Sequence, residues 1–216
     1  MRRQLRARRE RLEGGAAPVG WKIGLNVESV QRSLGLDRPV VGHLTSAGLV
    51  QPGAPHSLAG ATNPGAEPEV AIELGREVAG DIGPEAARAA IAGLAPALEV
   101  VDVDRPFDDV EAIVAGNVFH RAVALGESAG SSLDGVEATV VVNGAEAHRL
   151  DAARAAGDLA EVVMVIAGRL DACGERLAAG DRIIAGSLTP AVPVAPGDSV
   201  ALDLGRLGRL ELRFEA

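Results

Sequence analysis

The apolar segments of this chain are short, mostly strand-like and not regularly interleaved with helices. Many strands, few helices and no βαβ alternation point to an α+β fold rather than a doubly wound sheet. Val19–Ile23 reads as a short strand. Glu67–Leu74 alternates, as a strand does. Ala97–Val103 is apolar almost throughout, as in a buried strand. Arg182–Ser187, Ser199–Leu204 and Leu207–Phe214 supply three more strands. Ala138–Val142 followed by Asn143-Gly144 predicts a hairpin. The helical patterns cover about residues 2–13, Val27–Leu34 capped by Asn26 and ended by Gly35, and Pro84 to about Leu94, where Pro96 ends the run. A fourth runs from Asp158 to Cys173 with Val162, Val163, Ile166 and Leu170 as its buried stripe, closed by Gly174. Residues 51–66, with Pro52, Gly53, Pro55, Gly60, Pro64 and Gly65, read as an irregular loop.

At 216 residues the chain makes one domain, residues 18–216, preceded by a basic helix or arm over 1–17. Only three Phe and one Trp are present, with no Tyr, so the core is built from Val, Leu, Ile and Ala. That scarcity argues against stacking platforms for single-stranded nucleic acid. A formal net charge of −9 disfavours nucleic acid and anionic membranes as partners. Six arginines lie between Arg2 and Arg11. They form either an anion-binding arm or, as preferred here, a solvated helix face resting on Leu5 and Leu12. The single Cys173 allows no internal disulfide and fits a reducing cytoplasm; in apolar surroundings at a helix end it is expected to be inert. No apolar run reaches membrane-spanning length and no signal-peptide h-region opens the sequence, so a soluble cytoplasmic protein is expected.

Against twenty arginines stands one lysine, Lys22, in Gly20-Trp21-Lys22-Ile23-Gly24. An ammonium is a compact charge whose pKa responds to burial, whereas a guanidinium stays protonated. A solitary lysine among arginines therefore suggests a position where only the ammonium serves; drift in an arginine-biased genome is the plain alternative. Glu67 and Glu69, two apart on a strand, project from one face. Neighbouring carboxylates either raise one another's pKa or hold a cation between them. Hard oxygen ligands suit Mg²⁺ or Mn²⁺. Pro68 between them fits an edge or strand-start position. Glu99 lies inside an apolar strand, where a charge is costly unless paired or metal-bound. Asp102 and Asp104 alternate away from its face and rank below it. The alternative for each acid is a salt bridge to an arginine.

Together, Gly20–Gly24 with Val30-Gln31, Glu67-Pro68-Glu69, Pro96-Ala97-Leu98-Glu99 and Ala185-Gly186-Ser187-Leu188 resemble the 2-keto-4-pentenoate hydratase family of the fumarylacetoacetate hydrolase superfamily. Leu177-Ala178-Ala179-Gly180-Asp181 and Pro196-Gly197-Asp198 extend the resemblance, which runs in order from about residue 18 to the C-terminus. It implies a mixed β-sandwich roll with a few flanking helices, a homo-oligomer, and a divalent metal held by Glu67, Glu69 and Glu99. It also implies Lys22 as the active-site lysine. The implied substrate is a small unsaturated 2-oxo acid such as 2-hydroxypenta-2,4-dienoate. The metal would chelate its carboxylate and 2-oxo oxygens and stabilise the enolate before water adds. Lys22 would act as general acid/base or anchor the carboxylate, and Gly186 and Ser187 would offer a backbone N–H and a hydroxyl. For Ser187, an ordinary turn role stands equally.

The sequence departs from that pattern at three places. Val40 stands where an acid assists proton transfer, in Pro39-Val40-Val41-Gly42, and Gly116-Asn117 replaces an Asp-Asn pair. The stretch ahead of the lysine segment is also shorter than usual for hydratases. His120 is a candidate replacement proton shuttle and His43 a similar one, with structural histidines as the alternative; His56 and His148 read as loop residues. The same site would serve a 4-oxalocrotonate-type decarboxylase or an acylpyruvate C–C hydrolase. A non-catalytic metabolite-binding homologue is the reading from another class.

Overall fold

The computed structural model describes residues 1–51 and 53–216. In chain order the elements are α1 (Arg2–Glu13), β1 (Pro18–Gly24), α2 (Glu28–Ser33), β2 (Val40–Thr45), β3 (His56–Ser57), β4 (Pro64–Leu74), α3 (Pro84–Ala90) and β5 (Ile91–Asp102). There follow α4 (Val110–Ala115), β6 (His120–Leu125), β7 (Glu137–Val142), β8 (Ala145–Asp151), α5 (Ala152–Ala156) and α6 (Leu159–Asp171). The chain ends with β9 (Arg182–Ser187), β10 (Val192–Pro193), β11 (Ser199–Asp203) and β12 (Arg209–Glu215). No helix among the described residues is long and apolar enough to cross a membrane.

Two mixed sheets carry the fold, which is the expected sheet-dominated α+β architecture. The larger runs β2-β1-β9-β4-β5-β6, with β10 added on β4; the smaller runs β3-β12-β11-β7-β8. Just past β2, Leu49 bridges Val123 of β6, and the Val50 N–H donates to the Val123 carbonyl at 2.9 Å. The two edges of the larger sheet are thereby joined, and it curls around an inner face. Leu44, Ala71, Ala95, Ala97, Val123 and Ile184 fill that interior. Three alanines among the six suit a tightly curled wall, where large side chains would not pack. The outward-facing alternates, including Trp21, Val70, Ile72, Leu98, Val100 and Ile183, join the main core with α6 and the smaller sheet.

The β7–β8 hairpin forms as expected: Val142 faces Ala145, and Asn143 and Gly144 take φ of 51° and 80°, as a type I′ turn requires. Asp158 caps α6 by accepting from the Ala160 N–H, and its four predicted stripe residues are buried. On α1 the buried residues are Leu5 and Gln4, while Leu12 is only partly covered. The Arg8 guanidinium lies 4.6 Å from the Trp21 ring centroid.

Three local expectations are corrected. The helix opened by Pro84 stops at Ala90; Ile91–Leu94 pair with β4 instead, because the strand partner outweighs a helical pattern of that length. Pro96 therefore lies inside β5. Its carbonyl accepts from the Gly126 N–H just beyond the end of β6, so the missing proline N–H points where the neighbouring ladder has stopped. Pro68 likewise sits within a central strand rather than at an edge or strand start. Its carbonyl accepts from the Leu188 N–H, one residue past β9. The cap of α2 is Val27, without a side-chain bond, and Asn26 faces Gly186 instead.

Candidate active site

Alternation from the filled inner face places Lys22, Glu69 and Glu99 on that same face, toward one end of the roll. Lys22 stands opposite Gly42 on one side and Ile184 on the other, and Glu67 stands directly opposite Glu99 across the β4–β5 ladder. One carboxylate oxygen from each of Glu67, Glu69 and Glu99 lies within 4.8 Å of the others. Glu67 and Glu69 line a cavity of about 460 Å³ together with Lys22, Gly186 and Ser187, and Glu99, fully buried, lies against them.

Glu99 is fully buried and its Oε1 accepts from both the Lys22 ammonium and, at 2.7 Å, His120 Nδ1. Burial alone would raise its pKa, but the Lys22 charge and the His120 hydrogen bond outweigh that and hold it below the usual carboxylate range. Its second oxygen, Oε2, is buried with no hydrogen-bond partner among the described residues. Lys22 also donates to the Val118 carbonyl at 3.2 Å. Glu69 is buried and accepts from the Gly186 N–H at 2.7 Å. Burial first, then the Glu99 and Glu67 charges, push its pKa well above the usual range. Glu67 is pushed up to about 7, by burial and then by Glu99. Two carboxylates that resist ionising, beside an ionised one with an unpartnered buried oxygen, fit a hard divalent cation by their own chemistry.

Two β-bulges complete the site. Ile184 faces Ala71, yet Ser187 rather than Gly186 faces Glu69, because β9 carries one residue too many there. Gly186 takes up the distortion with φ of 100°, and a Cβ on it would fall 2.3 Å from Asn26 Nδ2. In β6, Arg121 is the extra residue: Ala122 faces Val100, and His120 faces Val101. Unbulged, His120 would share the outer face with Ala122; the bulge turns it inward to Glu99.

Several expected roles change with this geometry. The Gly186 N–H is engaged by Glu69 rather than free for a substrate. Ser187 lines the cavity, but its hydroxyl donates to the Thr189 carbonyl at 2.7 Å. His120 touches Glu99 rather than the cavity, with its side chain 2% exposed and its pKa lowered by burial despite the carboxylate. His43 lies on the outer face beside Trp21, its pKa pushed down to about 3 by burial and by the nearby charges of Arg11, His120, Arg8 and Lys22. Asp102 accepts from the Thr62 and Asn63 backbone N–H groups and from Arg121, a purely structural set of partners. Val40 is buried with Val101, Ile113, Val118 and Phe119, so an apolar cluster occupies the place of the expected acid.

Residue patterns gave no sign of the segment Asn117-Val118-Phe119. All three residues take left-handed φ, 59°, 57° and 61°, rare for consecutive non-glycine residues. Asn117 clamps the backbone of His43 with two hydrogen bonds, of 2.9 and 2.8 Å. The turn aims the Val118 carbonyl at Lys22 and sets the Val118 and Phe119 side chains on the cavity wall. Only the asparagine, tolerant of that backbone region, could have hinted at it.

A family model described as the fumarylacetoacetate (FAA) hydrolase C-terminal domain matches residues 21–215. A 4-oxalocrotonate decarboxylase from Pseudomonas sp is 32% identical over 205 residues, covering 93% of this chain and 80% of that protein. A 2-hydroxyhexa-2,4-dienoate hydratase from Comamonas testosteroni is 32% identical over 216 residues, covering 95% and 81%. Among solved structures, 4-oxalocrotonate decarboxylase from Pseudomonas putida G7, complexed with magnesium and adipate, superposes with a TM-score of 0.87 at 26% identity, covering 98% of this chain and 83% of that one. The same enzyme also matches in a complex with calcium and acetate.

Proposed function

The chain belongs to the fumarylacetoacetate hydrolase family, and from that premise we propose that it is a metal-dependent hydro-lyase. It adds water to a small unsaturated 2-oxo acid such as 2-hydroxypenta-2,4-dienoate. The observation that carries this reading is the convergence of Glu67, Glu69 and the unpartnered Glu99 Oε2 beside Lys22, with Glu67, Glu69 and Lys22 lining one cavity. Glu67, Glu69 and Glu99 would hold Mg²⁺ or Mn²⁺, which would supply Lewis acidity toward the 2-oxo acid. Lys22 spends two of its three N–H donors on Glu99 and Val118. The third serves the substrate, and Nζ is the atom that moves a proton during ketonisation and water addition. Glu99 and the Val118 carbonyl fix that ammonium in place, and Gly186 N–H orients Glu69 toward the same centre. His120 holds Glu99 from behind as a positioning residue.

Relatives named decarboxylase give a second reading, loss of CO₂ from an unsaturated dicarboxylate, supported by the 0.87 superposition. Hydration is favoured because Lys22 is the only cationic side chain lining the cavity among the described residues, so a distal carboxylate meets no counter-charge. The test is the ultraviolet decay of 2-hydroxypenta-2,4-dienoate with and without Mg²⁺ or Mn²⁺, with the product identified by mass. Metal-dependent gain of water is expected. Inertness toward this substrate, with CO₂ released from 4-oxalocrotonate, would move the assignment to the decarboxylase. Glu99→Gln is expected to weaken metal binding at least tenfold by calorimetry with the fold retained; unchanged affinity would remove Glu99 from the site.

A further inference from the structure

The two large hydrophobic side chains left exposed among the described residues, Val27 at 56% and Phe107 at 49%, both line the cavity above the carboxylates. Of the three phenylalanines in the whole sequence, two are at this mouth. The third, Phe214, is buried in the main core. The Phe107 and Phe119 rings stand 5.2 Å apart at an interplanar angle of 51°, close enough to act as one apolar surface. In a chain so poor in aromatic residues, this is a concentrated deployment of them. Phe119 also reaches the wall through a left-handed backbone (φ 61°), a conformation that persists only where the surroundings enforce it. Val101 and Val103 continue the apolar wall, on the strand that carries Glu99 and just beyond it. The volume of about 460 Å³ falls among pockets that enclose drug-sized ligands, more room than a five-carbon acid uses.

A polar floor and an apolar, aromatic mouth define a ligand with the same two ends. Resting on the 2-oxo acid reading above, we infer that the preferred substrates carry an uncharged alkyl or aryl tail at the end remote from the 2-oxo acid. The tail packs against Phe107, Phe119 and Val27. A second carboxylate in that position would be desolvated beside aromatic rings with no cation to meet it, which costs affinity. The acid end sets the chemistry; Phe107 and Phe119 set the choice among acids.

Calorimetric titration of the Mg²⁺-loaded protein with saturated 2-oxo acids tests this without turnover. The series is pyruvate, 2-oxopentanoate, 4-phenyl-2-oxobutanoate and 2-oxoadipate. Affinity is expected to rise at least tenfold from pyruvate to the phenyl compound, with 2-oxopentanoate between them and 2-oxoadipate no tighter than pyruvate. Phe107→Ser, at an exposed position that the fold tolerates, is expected to cost the phenyl compound a larger factor than pyruvate. Pyruvate binding with no gain along the series, or tightest binding of 2-oxoadipate, overturns the tail assignment and leaves the 2-oxo acid site standing. Failure of all four acids to bind overturns both.

Discussion

At the scale of single residues, the site rests on a lysine and a glutamate that are almost wholly excluded from water, at 2% and 0% side-chain exposure. Such a pair persists only with excellent geometry and further hydrogen bonds, which Val118 and His120 provide. Arginine cannot replace Lys22 cleanly. The lysine stem lies over Gly42, where even a Cβ would fall 2.7 Å from Lys22 Cγ, so the larger guanidinium would overpack the roll by about 1–3 kcal/mol. Lys22→Met keeps the stem and removes the charge. It leaves Glu99 buried with only His120, and is expected to cost about 3–5 kcal/mol at pH 8 by denaturant unfolding. The cost should shrink at pH 5, where Glu99 can take a proton, and turnover should be lost at both. An equal cost at both pH values would mean that the charge state of Glu99 does not change between them. The lone lysine was legible from composition; its partner was not, because a strand pattern gives the face of Glu99 and not what stands across the curled sheet from it.

At the scale of elements, alternation read Glu67, Glu69 and Glu99 correctly and would have misplaced two other residues. Period-two counting puts Ser187 away from Glu69 and His120 on the outer face, and a single extra residue in each strand reverses both. A bulge is decided by the partner strand, so one strand's sequence carries little trace of it beyond a glycine such as Gly186. Gly186→Ala tests the first bulge. The flexible Asn26 amide can move aside, but an alanine at φ of 100° costs about 1–2 kcal/mol. The relaxation is expected to draw the Gly186 N–H off Glu69 and to weaken Mg²⁺ binding several-fold in calorimetry; destabilisation with unaltered metal affinity would separate the bulge from the site. For the same reason β2 and β6 escaped notice as strands. Each is short, and its place is fixed by partners distant in sequence, including the Val50–Val123 bond that joins the edges.

At the scale of the whole molecule, closing the larger sheet gathers three acids whose mutual repulsion the metal-free protein has to tolerate. Glu67, with a pKa of about 7, and Glu69, whose pKa is also raised by burial and the neighbouring carboxylates, hold protons in the folded state that the unfolded chain releases near its ordinary carboxylate pKa. The folded state thus binds more protons than the unfolded one as pH climbs from about 4.5 through 7, so these groups make stability fall as pH rises. On the proposed reading, a divalent metal would bind the ionised forms and remove the penalty. The rise in Tm on adding Mg²⁺ is therefore expected to be larger at pH 8 than at pH 6; a rise that is equal, or larger at pH 6, would show that the carboxylates are not the ligands.

The sequence by itself determined the class of fold, the hairpin at Asn143-Gly144, the buried stripe of α6, and which strand residues make up the candidate site: one lysine and three glutamates. These are local properties, set by periodicity, turn stereochemistry and the cost of a charge in an apolar run. Only the tertiary structure decided that Lys22 and Glu99, 77 positions apart, meet in a buried ion pair. It also decided that His120 and Ser187 turn inward, that Gly186 serves Glu69, and that Phe107 and Phe119 stand together above the acids. Those outcomes depend on register, bulges and sheet closure, which are settled between strands rather than within them.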